Sequence, residues 1–154
     1  MNKDKFCTDL LNYLKFPANR ENLKFLKAWY LAENTQAKNN PFATTQPMPG
    51  ATIFNYANVR NYATYQDGIK ATADTILNGY YPNIIKALNT QQTALEKATD
   101  PKISNDFKTW GTSLNNIISI LRAGRADDIK NPYVIVLFLL VFFSIVMYFS
   151  FLKK

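Results

Sequence analysis

Apolar residues recur along most of this chain at helical spacing, and the breaks in that rhythm divide it. Near the start, Phe6, Leu10, Leu11 and Leu14 fall on one side of a helix over residues 4–15, which Pro17 ends. Asn19 is placed to cap a second helix running to about Glu33, with Glu21 in its first turn. Leu23, Leu26, Trp29 and Tyr30 form the apolar stripe of that helix. Residues 34–63 lose the period and are rich in Asn, Thr, Pro and Gln. Short β pieces are expected around Ile53–Tyr56 and Val59–Tyr62, within what is mainly a long loop region. The interspersed Phe42, Ile53, Phe54, Tyr56 and Tyr62 predict that this region is ordered.

Helical spacing returns at Thr64. Thr64-x-x-Asp67 reads as a capping box variant, opening a helix through Asn78 with Tyr65, Ile69, Ala73 and Ile76 inward. Gly79 suits the stop of that helix and Pro82 the start of another, whose apolar side is Ile84, Ile85 and Leu88. Further helices are expected over 91–98 and 112–123. The predicted fold class is mainly α, with at most a small β element.

The last stretch obeys a different rule. From Tyr133 to Leu152 the chain runs for twenty residues without a charge. At the helical rise this spans roughly 30 Å, the thickness of a bilayer's hydrocarbon core. Tyr133 and Tyr148 stand towards its ends, Lys153 and Lys154 follow it, and apolar side chains occupy every face, unlike a buried core helix. The expected organisation is therefore a soluble domain over 1–128, a linker over 129–132, a transmembrane helix over 133–152 and a basic tail at 153–154. Arg122, Arg125 and Lys130 against Asp127 and Asp128 on one side, and two lysines on the other, favour neither orientation. No apolar h-region opens the chain, so insertion by the tail rather than a secretory signal is expected.

Composition then removes whole kinds of chemistry. There is no histidine, which excludes Ser-His-Asp and Cys-His hydrolysis and most zinc sites. Cys7 is the one cysteine, so no internal disulfide is available and no thiolate cluster either. No Gly-rich phosphate loop occurs among five glycines. No cofactor or metal is expected, and what survives is carboxylate chemistry or none. The net charge of +7 suits an anionic polymer or phospholipid, but the basic residues are scattered singly from Lys3 to Lys130. That spread argues against nucleic acid as the partner.

Three glutamates are present, Glu21, Glu33 and Glu96. Glu21 is explained by its place in a first helical turn, and Glu96 by a polar surface helix beside Lys97. Glu33 differs: it shares a face with Leu26 and Trp29 and ends its helix as the chain enters the polar loop. The negative end of the helix dipole, and partial burial beside aromatic rings, would both disfavour its ionisation, as a general acid requires. By position alone, however, a surface glutamate at a fraying helix end is the simpler explanation.

A run of residues gives this position a context. Trp29–Ala32–Glu33, Asn40–Pro41, Thr44–Thr45–Gln46 and Pro49–Gly50–Ala51–Thr52 come in order. Val59, Tyr62, Gly68–Ile69, Ala71–Thr72, Thr75, Leu77, Asn78–Gly79–Tyr80–Tyr81 and Ile84–Ile85 continue it. This stretch, Leu23 to Leu88, resembles the lysozyme-like domains of phage-associated lytic transglycosylases and muramidases. Trp110–Gly111–Thr112 is similar to a later part of that family. Directly after the acid, where relatives often carry glycine, this chain carries Asn34.

The resemblance implies a lysozyme-like α+β fold with minimal β, and Glu33 as the catalytic acid. The bond cut would be the β-1,4 linkage between N-acetylmuramic acid and N-acetylglucosamine of peptidoglycan. Thr44, Thr45, Gln46, Asn55 and Tyr62 are the expected substrate-binding residues, and Tyr56, Tyr62 or Tyr65 the candidates for stacking on a sugar. Asp67 and Asp74 are the nearest candidates for a second carboxylate, although Asp67 is better explained as a cap. With the apolar tail, the expected setting is a phage virion internal membrane or a host inner membrane. The partners there are peptidoglycan, lipid and other virion or capsid proteins. The alternative is a catalytically inactive structural or peptidoglycan-binding virion membrane protein. A pore-former is disfavoured, because one apolar span carries a whole folded domain.

Overall fold

The computed structural model describes residues 1–127. The expected linker, transmembrane helix and basic tail lie outside the described residues. Within 1–127 the chain is mainly helical, as expected: seven helices and one two-stranded antiparallel ladder.

Local chemistry explains most of the helix boundaries. Helix α1 (Lys3–Leu14) is capped by Asn2, and α2 (Arg20–Glu33) by Asn19; each side chain accepts a main-chain N–H of the first turn. The expected capping box is present at α3 (Tyr65–Ile76), where Thr64 and Asp67 satisfy each other's main-chain N–H groups. Pro82 opens α4 (Pro82–Leu88), and a second capping box, Thr93 with Glu96, opens α5 (Ala94–Thr99). Ser113 caps α7 (Leu114–Arg122). The helix expected over 112–123 therefore begins later, which leaves Thr112 outside it.

Helix α6 (Ile103–Trp110) was not expected from the periodicity. Its sequence holds only Ile103 and Phe107 as fully buried apolar residues, and its buried Asp106 disguises the inward face. The Asp106 carboxylate accepts the main-chain N–H groups of Asn83 (2.8 Å) and Ile84 (2.9 Å), so it caps α4 from a distance.

Helix α2 is the centre of the fold and packs against α1, α5 and α7. Its buried set is wider than the stripe expected: Asn22, Phe25, Leu26, Lys27, Ala28 and Trp29 are buried, while Leu23 and Tyr30 are half-buried. The two buried polar residues both find partners, although the Asn22 Oδ1 is left without one among the described residues. Asn22 Nδ2 donates to the carbonyls of Pro17 (2.8 Å) and Leu88 (2.7 Å), and Lys27 pairs with Asp4 at 2.7 Å. The Trp29 ring is wholly buried, with edge-on contacts to Phe42, Phe107 and Trp110 at centroid distances of 5.0, 4.9 and 4.6 Å.

The polar region after α2 is ordered by asparagine. Strands β1 (Thr52–Ile53) and β2 (Arg60–Asn61) pair with Thr52 opposite Asn61 and Ile53 opposite Arg60. Buried Asn40 holds the segment from inside, donating to the carbonyls of Thr44 (2.8 Å) and Arg60 (2.7 Å) and accepting Thr44 N–H. Gly68, in the first turn of α3, lies against this segment. A Cβ at that position would run into the main-chain carbonyl of Asn39.

Candidate active site

Glu33 is the last residue of α2 and is half-buried. Asn34 follows as the helix cap in the left-handed region, φ 45°, ψ 32°. That conformation favours glycine, and asparagine is the side chain that tolerates it next best. Asn34 therefore suits this helix end.

Two donors converge on one oxygen of Glu33. Trp29, one turn back on α2, donates its indole N–H to Oε1 at 3.1 Å. The Thr112 hydroxyl donates to the same Oε1 from the corner between α6 and α7, 79 residues away in sequence. Trp29 Nε1 also donates to Thr112 Oγ1 at 3.2 Å, which closes a triangle of three side chains. Oε2 has no hydrogen-bond partner among the described residues.

The corner itself is pinned. Trp110 packs on Trp29, and its Nε1 donates to the Phe42 carbonyl at 2.9 Å. Tyr81 also packs edge-on against Trp110, 4.9 Å between centroids. Burial pushes the Glu33 carboxyl above its ordinary range, while the Thr112 hydroxyl, the Trp29 indole N–H and the nearby Trp110 indole N–H, itself bonded to the Phe42 carbonyl, pull in the opposite direction. These three donors are all uncharged. A half-buried carboxyl with neutral donors and one unpartnered oxygen can hold a proton towards neutral pH and release it.

The five residues expected to bind substrate separate into three kinds. Thr44 and Tyr62 are buried, and their hydroxyls face each other at 3.0 Å. The Tyr62 hydroxyl donates to the Gln46 carbonyl at 2.9 Å, and Thr75 donates to Thr44 Oγ1 at 3.3 Å. Both residues therefore brace the segment from within instead of lining a surface. Their polarity suggested a groove, but the network consumes it. Asn55 shapes a turn, its side-chain oxygen accepting the N–H groups of Ala57 (3.1 Å) and Val59 (3.2 Å). Thr45 is exposed and Gln46 half-buried, and neither side chain makes a hydrogen bond among the described residues. Of the stacking candidates, Tyr56 is fully exposed at the hairpin, whereas Tyr65 donates to Asp9 at 2.9 Å.

The second-carboxylate candidates are engaged elsewhere. Asp67 belongs to the α3 cap, and Asp74 pairs with Lys70 at 2.5 Å. Two cavities of about 650 and about 420 Å³ flank the end of α2; both include Leu31 and Asn34, and neither has Glu33 in its wall. Among the described residues, no group of three or more His, Cys, Asp or Glu side chains stands together to hold a metal.

Sequence reasoning missed Thr112 and Trp110 as partners of Glu33. The signal was present, since Trp110–Gly111–Thr112 stood out, but its target could not be read from so far along the chain. No family model, curated protein or solved structure matches this chain.

Proposed function

We propose that this chain is a membrane-anchored enzyme that cuts peptidoglycan between N-acetylmuramic acid and N-acetylglucosamine, with Glu33 as its single catalytic carboxyl. The specific form we favour is a virion lytic transglycosylase with a lysozyme-like fold, acting in cell entry or lysis and held to lipid by residues 133–152.

One observation carries the reading: a half-buried carboxyl held by neutral donors at the end of the central helix, its affinity for a proton raised by burial. In the reaction, Glu33 gives its proton to the glycosidic oxygen, and the C1–O bond breaks with its electron pair passing to that oxygen. The C6 hydroxyl of the muramic acid then attacks C1, and its proton returns to Glu33 as the anhydro ring closes. A two-carboxylate hydrolysis needs a partner acid, and Asp67 and Asp74 are both occupied in the helix they serve. That favours the one-carboxylate route. Thr45 and Gln46 keep side chains available for N-acetyl and hydroxyl groups.

The second reading is a protein that binds glycan or serves a structural role in the virion without cutting. It draws on the two cavities at the α2 end, whose walls exclude Glu33. Full-length protein in detergent, incubated with purified peptidoglycan and read by mass spectrometry, separates them. Anhydro-muropeptides are expected. Reducing-end muropeptides would make it a lysozyme, and no release from folded protein would leave the binding reading.

A further inference from the structure

We propose that Thr112 selects the working oxygen of Glu33: it keeps Oε1 as a standing acceptor, so the proton that moves in the reaction resides on Oε2. This rests on the reading of Glu33 as the acid.

The direction of every bond in the triangle follows from chemistry. An indole N–H has no lone pair to offer and can only donate. Trp29 Nε1 is shared between Glu33 Oε1 at 3.1 Å and Thr112 Oγ1 at 3.2 Å, so the Thr112 oxygen is an acceptor towards Trp29. Its own O–H is thereby left to point at Glu33 Oε1. Oε1 thus receives two hydrogens. In a protonated carboxyl, the carbonyl oxygen is the better acceptor and the hydroxyl oxygen the donor. The acid form is therefore set with its hydrogen on Oε2, the oxygen without a partner among the described residues.

Thr112 is also held in place for the task. It is 9% exposed and sits between two helix ends. Helix α6 closes on Gly111 at φ 95°, with the N–H groups of Gly111 and Thr112 both donating to the Phe107 carbonyl at 2.9 and 3.1 Å. One residue later, Ser113 caps α7. The side chain thus has fixed backbone on both sides. The side chains with the largest influence on Glu33's titration are Thr112, Trp29 and Trp110, and all three are uncharged. Thr112 is a positioning residue in this scheme: it acts through Glu33 and does not touch the glycan.

The test compares full-length wild type with Thr112→Val and Thr112→Ser, in detergent, with side-chain-labelled glutamate followed by NMR against pH. With three glutamates in the chain, the Glu33 signal is identified by its loss in Glu33→Gln. Thr112→Val keeps the volume and removes the hydroxyl. Its Glu33 midpoint should move upward, because a hydrogen bond favouring the charged form is gone. The high-pH limb of kcat should follow it upward. At the optimum, kcat should fall about tenfold with KM unchanged, the scale of one hydrogen bond missing from the transition-state arrangement. Thr112→Ser should restore midpoint, limb and rate. An unshifted midpoint in folded Thr112→Val, or a Thr112→Ser variant no better than Val, would overturn the assignment. The failure of the parent reading looks different: wild type releases no muropeptides, yet the Val shift and the Ser rescue persist in the spectra.

Discussion

Two polar networks are packed into this domain, and they end differently. The one around Asn40, Thr44 and Tyr62 closes on itself: amide, hydroxyls and main-chain carbonyls satisfy one another within the segment that follows α2. The one around Glu33 stays open, with Trp29 and Thr112 meeting on Oε1 and nothing among the described residues meeting Oε2. A closed network spends its polarity on rigidity, because each buried group is already paired. An open one keeps a reactive group half-desolvated and aimed. Polar residues that sequence alone groups together as candidates for binding are thus sorted by whether the fold leaves them a free valence.

That contrast breaks most sharply at Glu33. Glu33→Gln retains an oxygen to accept from Trp29 and Thr112 but removes the transferable proton. Glycan cleavage should fall by roughly 10²–10⁴-fold with the denaturation midpoint little changed, measured by muropeptide release and by unfolding in parallel. Retained activity in folded protein would remove Glu33 from the site. On the closed side, the largest effect should come from Gly68→Ala, where the new Cβ meets the Asn39 carbonyl. A loss of about 1–3 kcal/mol in unfolding free energy is expected, since backbone on both sides must shift.

Tyr62→Phe probes the same network more gently. It removes a hydroxyl that donates to the Gln46 carbonyl and pairs with Thr44, so stability should drop by about 1 kcal/mol while activity per folded molecule holds. A kcat loss exceeding that of Thr112→Val would place Tyr62 in contact with substrate instead. The smallest effect concerns pH. Glu33's folded affinity for a proton is raised by burial, so the native state binds more protons than the unfolded state between the ordinary carboxyl range and the raised value. Stability from this group therefore declines as pH rises through that window, and the penalty is complete above it. Wild type should lose ground against Glu33→Gln over the same interval in denaturant titrations at stepped pH. Parallel curves would mean that the carboxyl is not desolvated.

Much of the fold was legible because its rules are local. Asn19, Thr64 and Pro82 set helix starts through atoms within about one turn of themselves, and apolar periodicity located α1 to α4. Glu33 was legible for the same reason, as the acid one turn beyond Trp29 at the end of an amphipathic helix. Helix α6 was not, because its inward face carries Asp106, a charge whose purpose is to cap α4, a different helix.

By itself, then, the sequence determined where most helices start, that a carboxyl stands at the end of the second, and that histidine and thiol-cluster chemistry are absent. Only the tertiary structure decided which residues serve that carboxyl. Thr112 reaches it across 79 positions, through a turn at Gly111 and a wall of aromatic rings. It also decided that Thr44 and Tyr62 face inward and Thr45 outward. Caps and periodicity are energies of neighbours along the chain, whereas the state of a buried polar atom depends on what distant segments bring to it. No local pattern encodes that meeting.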